Sequence, residues 1–184
     1  MVNYVATPLQ NQTPWSPGRT YVLGYYFELT AGLGLGDTIT FPDAVTPSGI
    51  IGLDAVVRCS QLDSNATPLG RFELGDSTAN DANAAARWIT GGVMGTNVAG
   101  AIVVSFSNVP PAFATVTPPY PPNAQSYVVQ TKGAGYEYYN DENSPTNEPG
   151  GFLDLVLTVT TAPATAAATG TVWMYFTYYC VGNP

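Results

Sequence analysis

Residues 152–181 read FLDLVLTVTTAPATAAATGTVWMYFTYYCV, two runs of strand-forming side chains joined by a Thr/Ala spacer. In the first, Leu153, Leu155, Leu157 and Val159 alternate with Asp154, Thr158 and Thr160, the period of two of a strand with one buried face. The second, Thr171–Val181, does not alternate. Val172, Met174, Phe176, Tyr178 and Cys180 share one face, and Trp173, Tyr175 and Tyr179 make the other apolar or aromatic as well. A strand with one solvated face alternates. This one therefore predicts either a central strand covered on both sides or a strand whose second face meets another subunit.

The same grammar extends upstream. Thr20–Leu29 places Tyr21, Leu23, Tyr25, Phe27 and Leu29 on one face, and Ile50–Ser60 places Ile51, Leu53, Ala55, Val57 and Cys59 opposite Asp54, Arg58 and Ser60. Shorter strands are read at Asp37–Phe41, Arg71–Leu74 and Ala101–Ser107. Gly32, Gly34 and Gly36 mark a turn, Pro42 and Pro47 punctuate the loop after the short strand, and Gly75-Asp76 ends the next. Asn80–Ile89, with its alanine run, is the one helical candidate. Residues 1–19 carry Pro8, Pro14 and Pro17 without periodicity and read as an extended N-terminal arm. Residues 108–150 are rich in Pro and Tyr and read as a long excursion holding short strands at Ser126–Gln130 and Gly135–Tyr139. The whole predicts an all-β chain: an antiparallel β-sandwich over residues 20–184, with a jelly roll as one form it can take, one short helix, and the arm in front.

Composition narrows the function. The 184 residues hold no histidine and 10% charged side chains, against about 25% in ordinary domains. A net charge of −8 and scattered arginines disfavour contact with a phosphate backbone, so no nucleic-acid partner is expected. No apolar run reaches the roughly 18 residues of a membrane-spanning helix, and the N-terminus has no signal-peptide pattern. The expected setting is a reducing cytosol, with Cys59 and Cys180 as free thiols rather than a disulfide.

Catalytic constellations are weak. Serine, cysteine and lysine nucleophiles need a base, histidine is missing, and Lys132 is the one lysine. The carboxylates Glu73, Asp76 and Asp154 could serve a hydrolase, yet nothing in their spacing selects a pair. GLGLGDT (residues 32–38) leads into a strand rather than a helix and so is a turn, not a phosphate loop. The acidic loops at 76–81 and 140–143 fit no calcium-loop pattern. The expectation is a protein that is not an enzyme, with no catalytic or metal-binding residues and no cofactor.

At Ile50–Ile89 the segments IIGLDAVVRC, SQLDSNATPL, RFELGDS and ANDANAAARWI resemble small structural proteins of tailed bacteriophages, in which a strand ending in Gly-Asp is followed by an acidic turn and an Arg-aromatic-Ile triplet. Gly75, Asp76, Arg87, Trp88 and Ile89 occupy those positions, and residues 152–181 resemble the ending of such chains. The resemblance implies a virion component without catalysis, assembled in the host cytoplasm. In its most specific form this is a capsid decoration or cement protein, a homo-oligomer with a trimer favoured, partnered by the major capsid protein. Asp76 and Arg87 then either pair across the strand-to-helix junction or are solvated separately. Candidate partner-binding residues are Tyr4, Trp15 and Arg19 of the arm, Tyr120, Tyr136, Tyr138 and Tyr139 of the excursion, and Trp173 and Tyr175 of the last strand. The alternative is a carbohydrate- or receptor-binding sandwich, a tail or fibre component, using the same loop aromatics.

Overall fold

The computed structural model describes residues 1–9, 18–45, 50–76, 86, 88–96, 98, 101–106, 136–138 and 153–180. Their strands are β1 (Asn3–Val5), β2 (Thr7–Pro8), β3 (Thr20–Leu29), β4 (Thr38–Val45), β5 (Ile50–Cys59), β6 (Arg71–Asp76), β7 (Ile89–Val93), β8 (Val103–Phe106), β9 (Tyr136–Tyr138), β10 (Leu153–Thr161) and β11 (Gly170–Cys180). They form two sheets, ordered β1-β4-β10-β6-β7 and β2-β3-β11-β5-β8, with β9 added beside β5. The two closing strands, β10 and β11, lie at the centre of their sheets.

The chain switches sheet at most of its connections, and the pairs β3–β11, β4–β10, β5–β8 and β6–β7 are all antiparallel. This is one long ribbon, β3 to β6 outward and β7 to β11 back, rolled so that each half faces itself across the sandwich. That winding is the jelly roll.

The core is the set of inward positions the alternation selects. Leu23, Tyr25 and Leu29 of β3, Phe72 and Leu74 of β6, Leu155, Leu157 and Val159 of β10, and Val172, Met174, Phe176 and Tyr178 of β11 are all buried. Trp88 packs edge-on against Phe176 with ring centroids 4.8 Å apart, and Tyr25 does so against Phe41 at 5.7 Å. Each such side chain contributes about 1.5–3 kcal/mol by leaving water.

Several local expectations change. The strand begun at Thr38 runs through Pro42 to Val45. Proline is tolerated because β1 pairs only with Thr38–Thr40, and the β10 ladder is irregular just beyond Phe41, so no partner needs the missing N–H. Gly75-Asp76 does not end β6, which pairs with β10 as far as Asp76. Leu53 does not join Ala55 and Val57 inside. A bulge places Thr177 opposite Asp54 and Tyr178 opposite Gly52, which leaves Leu53 as the extra residue, exposed. The helix expected at Asn80–Ile89 falls mostly outside the described residues, and its last residue, Ile89, opens β7. The strand expected at Ser126–Gln130 also lies outside them.

Candidate interaction surface

The outer faces of the two sheets differ in chemistry. On the first sheet, Thr38 and Thr40 of β4, Thr158 and Thr160 of β10, and Arg71 and Glu73 of β6 face outward. On the second, β11 sets Trp173 opposite Tyr26, Tyr175 opposite Gly24 and Thr177 opposite Val22 on β3. On its other side it sets Trp173 opposite Arg58 and Tyr175 opposite Val56 on β5. The Trp173 and Tyr26 rings lie 5.7 Å apart.

Gly24 leaves room here for Leu9. A Cβ on it would come within 3.1 Å of Leu9 Cδ1 and 3.4 Å of the Tyr175 ring. Without that carbon Leu9 lies across β3 towards Tyr175, its N–H donating to the Gly24 carbonyl at 2.8 Å. Val104, in register with Arg58, extends the strip across β8. Leu9, Val22 and Val104 are exposed, and Tyr26, Trp173 and Tyr175 half-buried. Apolar and aromatic side chains from neighbouring strands thus share this outer face, with Arg58 between Trp173 and Val104. Tyr26 donates to Glu28 Oε2 at 3.4 Å, and partial desolvation together with that carboxylate raises the phenol above its ordinary value. It therefore stays a neutral donor at pH 7.

The structure brings together two of the candidate residues, Trp173 and Tyr175. Tyr4 sits elsewhere, half-buried on the flank of the core with its ring 5.3 Å from Phe27. Arg19 is exposed just before β3. Tyr136 and Tyr138 belong to β9, placed by backbone pairing opposite Gly52 and Ile50. Trp15, Tyr120 and Tyr139 lie outside the described residues, as do the Arg87 and Asp76 side chains. Trp88 and Ile89 of the Arg-aromatic-Ile triplet are core residues. Sequence reasoning missed Val22 and Tyr26, although the period of two that buries Leu23 and Tyr25 puts both on the opposite face. It had no signal for Leu9, whose place depends on β2 pairing with β3.

One end of the sandwich is held by a buried carboxylate. Asp63, in the loop after β5, accepts five backbone N–H groups. Oδ2 takes Leu69 (2.8 Å), Gly70 (2.9 Å) and Ala164 (2.9 Å); Oδ1 takes Thr165 (3.0 Å) and Asn65 (3.2 Å). Burial alone would raise this carboxyl, but the N–H groups of Gly70, Thr165, Ala164 and Leu69 prevail and hold it well below the usual carboxylate range. The β5–β6 and β10–β11 loops are thereby clasped. Gln61 adds the β7–β8 loop, its Oε1 accepting from Thr96 N–H at 3.0 Å and its Nε2 donating to the Thr96 carbonyl at 3.0 Å. Asp63-Ser64-Asn65 carries an Asx-turn signature, the trace in sequence of this local role. Cys59 is a free, buried thiol, pushed up to about 12 by desolvation, and is no nucleophile at neutral pH.

The chain is thus a jelly-roll sandwich with most of its outward aromatics on one sheet and a buried carboxylate joining loops at one end. Two solved structures share its fold over nearly their whole length. A chain of the cyanophage Pam1 capsid asymmetric unit is similar at 19% identity and a TM-score of 0.56, covering 94% of this chain and 92% of that one. A chain of the capsid of Ralstonia phage GP4 is similar at 17% identity and a TM-score of 0.52, covering 93% and 90%. No family model matches the chain, and no curated protein matches it.

Proposed function

We propose that this chain is a structural component of a phage capsid, and in the finer form a decoration or cement protein of a tailed phage that binds between major-capsid subunits as a homotrimer. The observation that carries the reading is the two-way coverage of the fold. It matches chains of two phage capsids over 93–94% of this chain and 90–92% of theirs. Jelly rolls also serve as lectins and in other roles, so the argument needs the surface as well as the fold. The apolar outer face of the second sheet supplies it: stable attachment needs about 800 Å² per partner with aromatic anchors, and Trp173, Tyr175 and Tyr26 are such anchors. The arm and residues 108–150 are proposed as further contacts, and the virion as the location. The carbohydrate-binding alternative draws on Trp15, Tyr120, Tyr136, Tyr138 and Tyr139, of which Tyr136 and Tyr138 are placed in β9 and the others lie outside the described residues.

Quantitative mass spectrometry of gradient-purified particles tests this. A ratio near one copy per major-capsid subunit, or one trimer per capsomer junction, is expected. Absence from particles overturns the capsid reading, and a ratio of a few dozen copies per particle overturns decoration. Val22→Glu and Val104→Glu put charges on exposed positions of the apolar face. Each is expected to leave the folded protein intact while lowering affinity for particles at least about tenfold, or 1.4 kcal/mol. Unchanged occupancy would remove this face from the interface.

A further inference from the structure

The sandwich has two open sides, where the edge strands of its sheets face each other. On one, β7 and β8 are joined directly, Val93 N–H donating to the buried Ser105 Oγ at 3.0 Å. On the other, Tyr25 of β3 meets Phe41 of β4 in the core and donates to the Pro42 carbonyl at 2.6 Å, and the first nine residues pair with both strand edges. β1 pairs with β4, Ala6 crosses between the sheets, and β2 pairs with β3. The attachment combines the half-buried Tyr4 ring against Phe27 with a set of polar contacts. Thr38 N–H donates to the Val2 carbonyl (2.9 Å), Ala6 N–H to the Thr40 carbonyl (2.8 Å), and Val2 N–H to Asp37 Oδ1 (2.6 Å). Asn3 Oδ1 accepts from Thr38 Oγ1 at 2.9 Å and Thr40 Oγ1 at 3.0 Å.

Three features set this segment apart from the rest of the fold. β1–β4 is the one parallel pair among the described strands, and parallel pairing is the weaker kind. Ala6, at 4% exposure, is the segment's single buried side chain, whereas Val5 at 60% and Leu9 at 52% point outward. The slot it fills is made of two strand edges, which accept any strand of matching pattern.

We propose that this segment exchanges between copies: residues 1–9 of one chain fill the β3/β4 slot of a second copy, closing a ring of the homo-oligomer. Exchange keeps every one of these contacts, because the slot and its occupant are identical in all copies. Leu9 and Gly18 are separated by eight residues, and a chain of that length reaches at most roughly 30 Å, enough to pass to an abutting subunit. The tether favours the chain's own slot only through effective concentration, of millimolar order for a short linker. Neighbours fixed in an assembly meet that concentration. Exchange then carries the outward Val2, Val5 and Leu9 to the boundary between copies, where burying them decides the balance.

The inference rests on the self-association proposed above and not on the capsid location. Asn3→Cys/Thr38→Cys, made with Cys180→Ser, joins register partners whose side chains already touch; Val5→Cys/Thr40→Cys is a second pair should the first perturb folding. Cys59 is buried and does not compete. The full chain is brought to about 100 μM, its mass measured by light scattering, oxidised, and run on denaturing non-reducing gels. Covalent dimers, trimers or higher rings are expected in place of monomer. An oligomer by light scattering whose oxidised chains run as internally bridged monomers overturns exchange while leaving self-association standing. A monomer by light scattering overturns both, and an oligomer with no bridge at either pair overturns exchange.

Discussion

Replacing Asp63 by asparagine changes one atom's identity and almost nothing in volume, yet it strikes the joint that holds two loops about a hundred residues apart, the separation between Asp63 and its partners Ala164 and Thr165. The carboxylate offers two acceptors to five N–H groups. An amide keeps one. In its better orientation the amide retains the contacts to Leu69, Gly70 and Ala164 and turns an NH₂ towards the Thr165 and Asn65 N–H groups, donor against donor. An orphaned buried donor costs about 1–3 kcal/mol, and the three surviving bonds lose their charge assistance. Asn65 counts least, since its bond is the longest at 3.2 Å. The expected loss is about 3 kcal/mol, a fall in Tm of roughly 6–12 °C for a chain of this size. Calorimetry or thermal circular dichroism of Asp63→Asn beside wild type reads it directly. The carboxyl is depressed in the folded state, so its stabilisation is complete above the unfolded value of about 3.9 and is lost as pH falls through the lower folded one. The gap between wild type and variant should therefore be steady from pH 8 to 5 and shrink below about pH 4. A Tm shift under about 2 °C at pH 7, or a gap that widens in acid, would refute the clasp.

Two further outcomes follow from packing. Gly92→Ala would set a Cβ 2.4 Å from the Phe72 ring, inside the core, so unfolding should show a loss of about 1–3 kcal/mol, while the same change at Gly24 should be milder because the flexible Leu9 side chain can yield. Cys59 should resist a thiol reagent such as dithionitrobenzoate at pH 8 in the native protein and react at once in 6 M guanidinium, because burial has pushed its thiol up to about 12; native labelling of Cys59 would mean that the β5 core opens readily.

The period of two in β3, β6, β10 and β11 was legible because it is local: a side chain's face follows from its parity along the strand. The failures are equally specific. Leu53 has the right parity and the wrong face, because a bulge against β11 shifts the count between Thr177 and Tyr178. β7 has no expected counterpart: ITGGV carries two adjacent glycines and no apolar alternation. Gly91 does take a positive φ of 69°, but Gly92 is a strand residue whose missing side chain makes room for Phe72. Trp173 and Tyr175 share an outer face because the last strand is apolar on both sides, whereas Tyr4 lies on a different flank beside Phe27.

The amino-acid sequence by itself determined that the chain is all-β, which side chains form most of its core, and that its last strand carries two apolar faces. These follow from spacing and side-chain chemistry within a few residues. Only the tertiary structure decided the jelly-roll strand order, the joining of Leu9, Val22, Tyr26, Trp173, Tyr175 and Val104 into one surface, and the clasp at Asp63. Each of these depends on which distant segments pair, and that choice is made by closing the ribbon around a shared core rather than by any local preference.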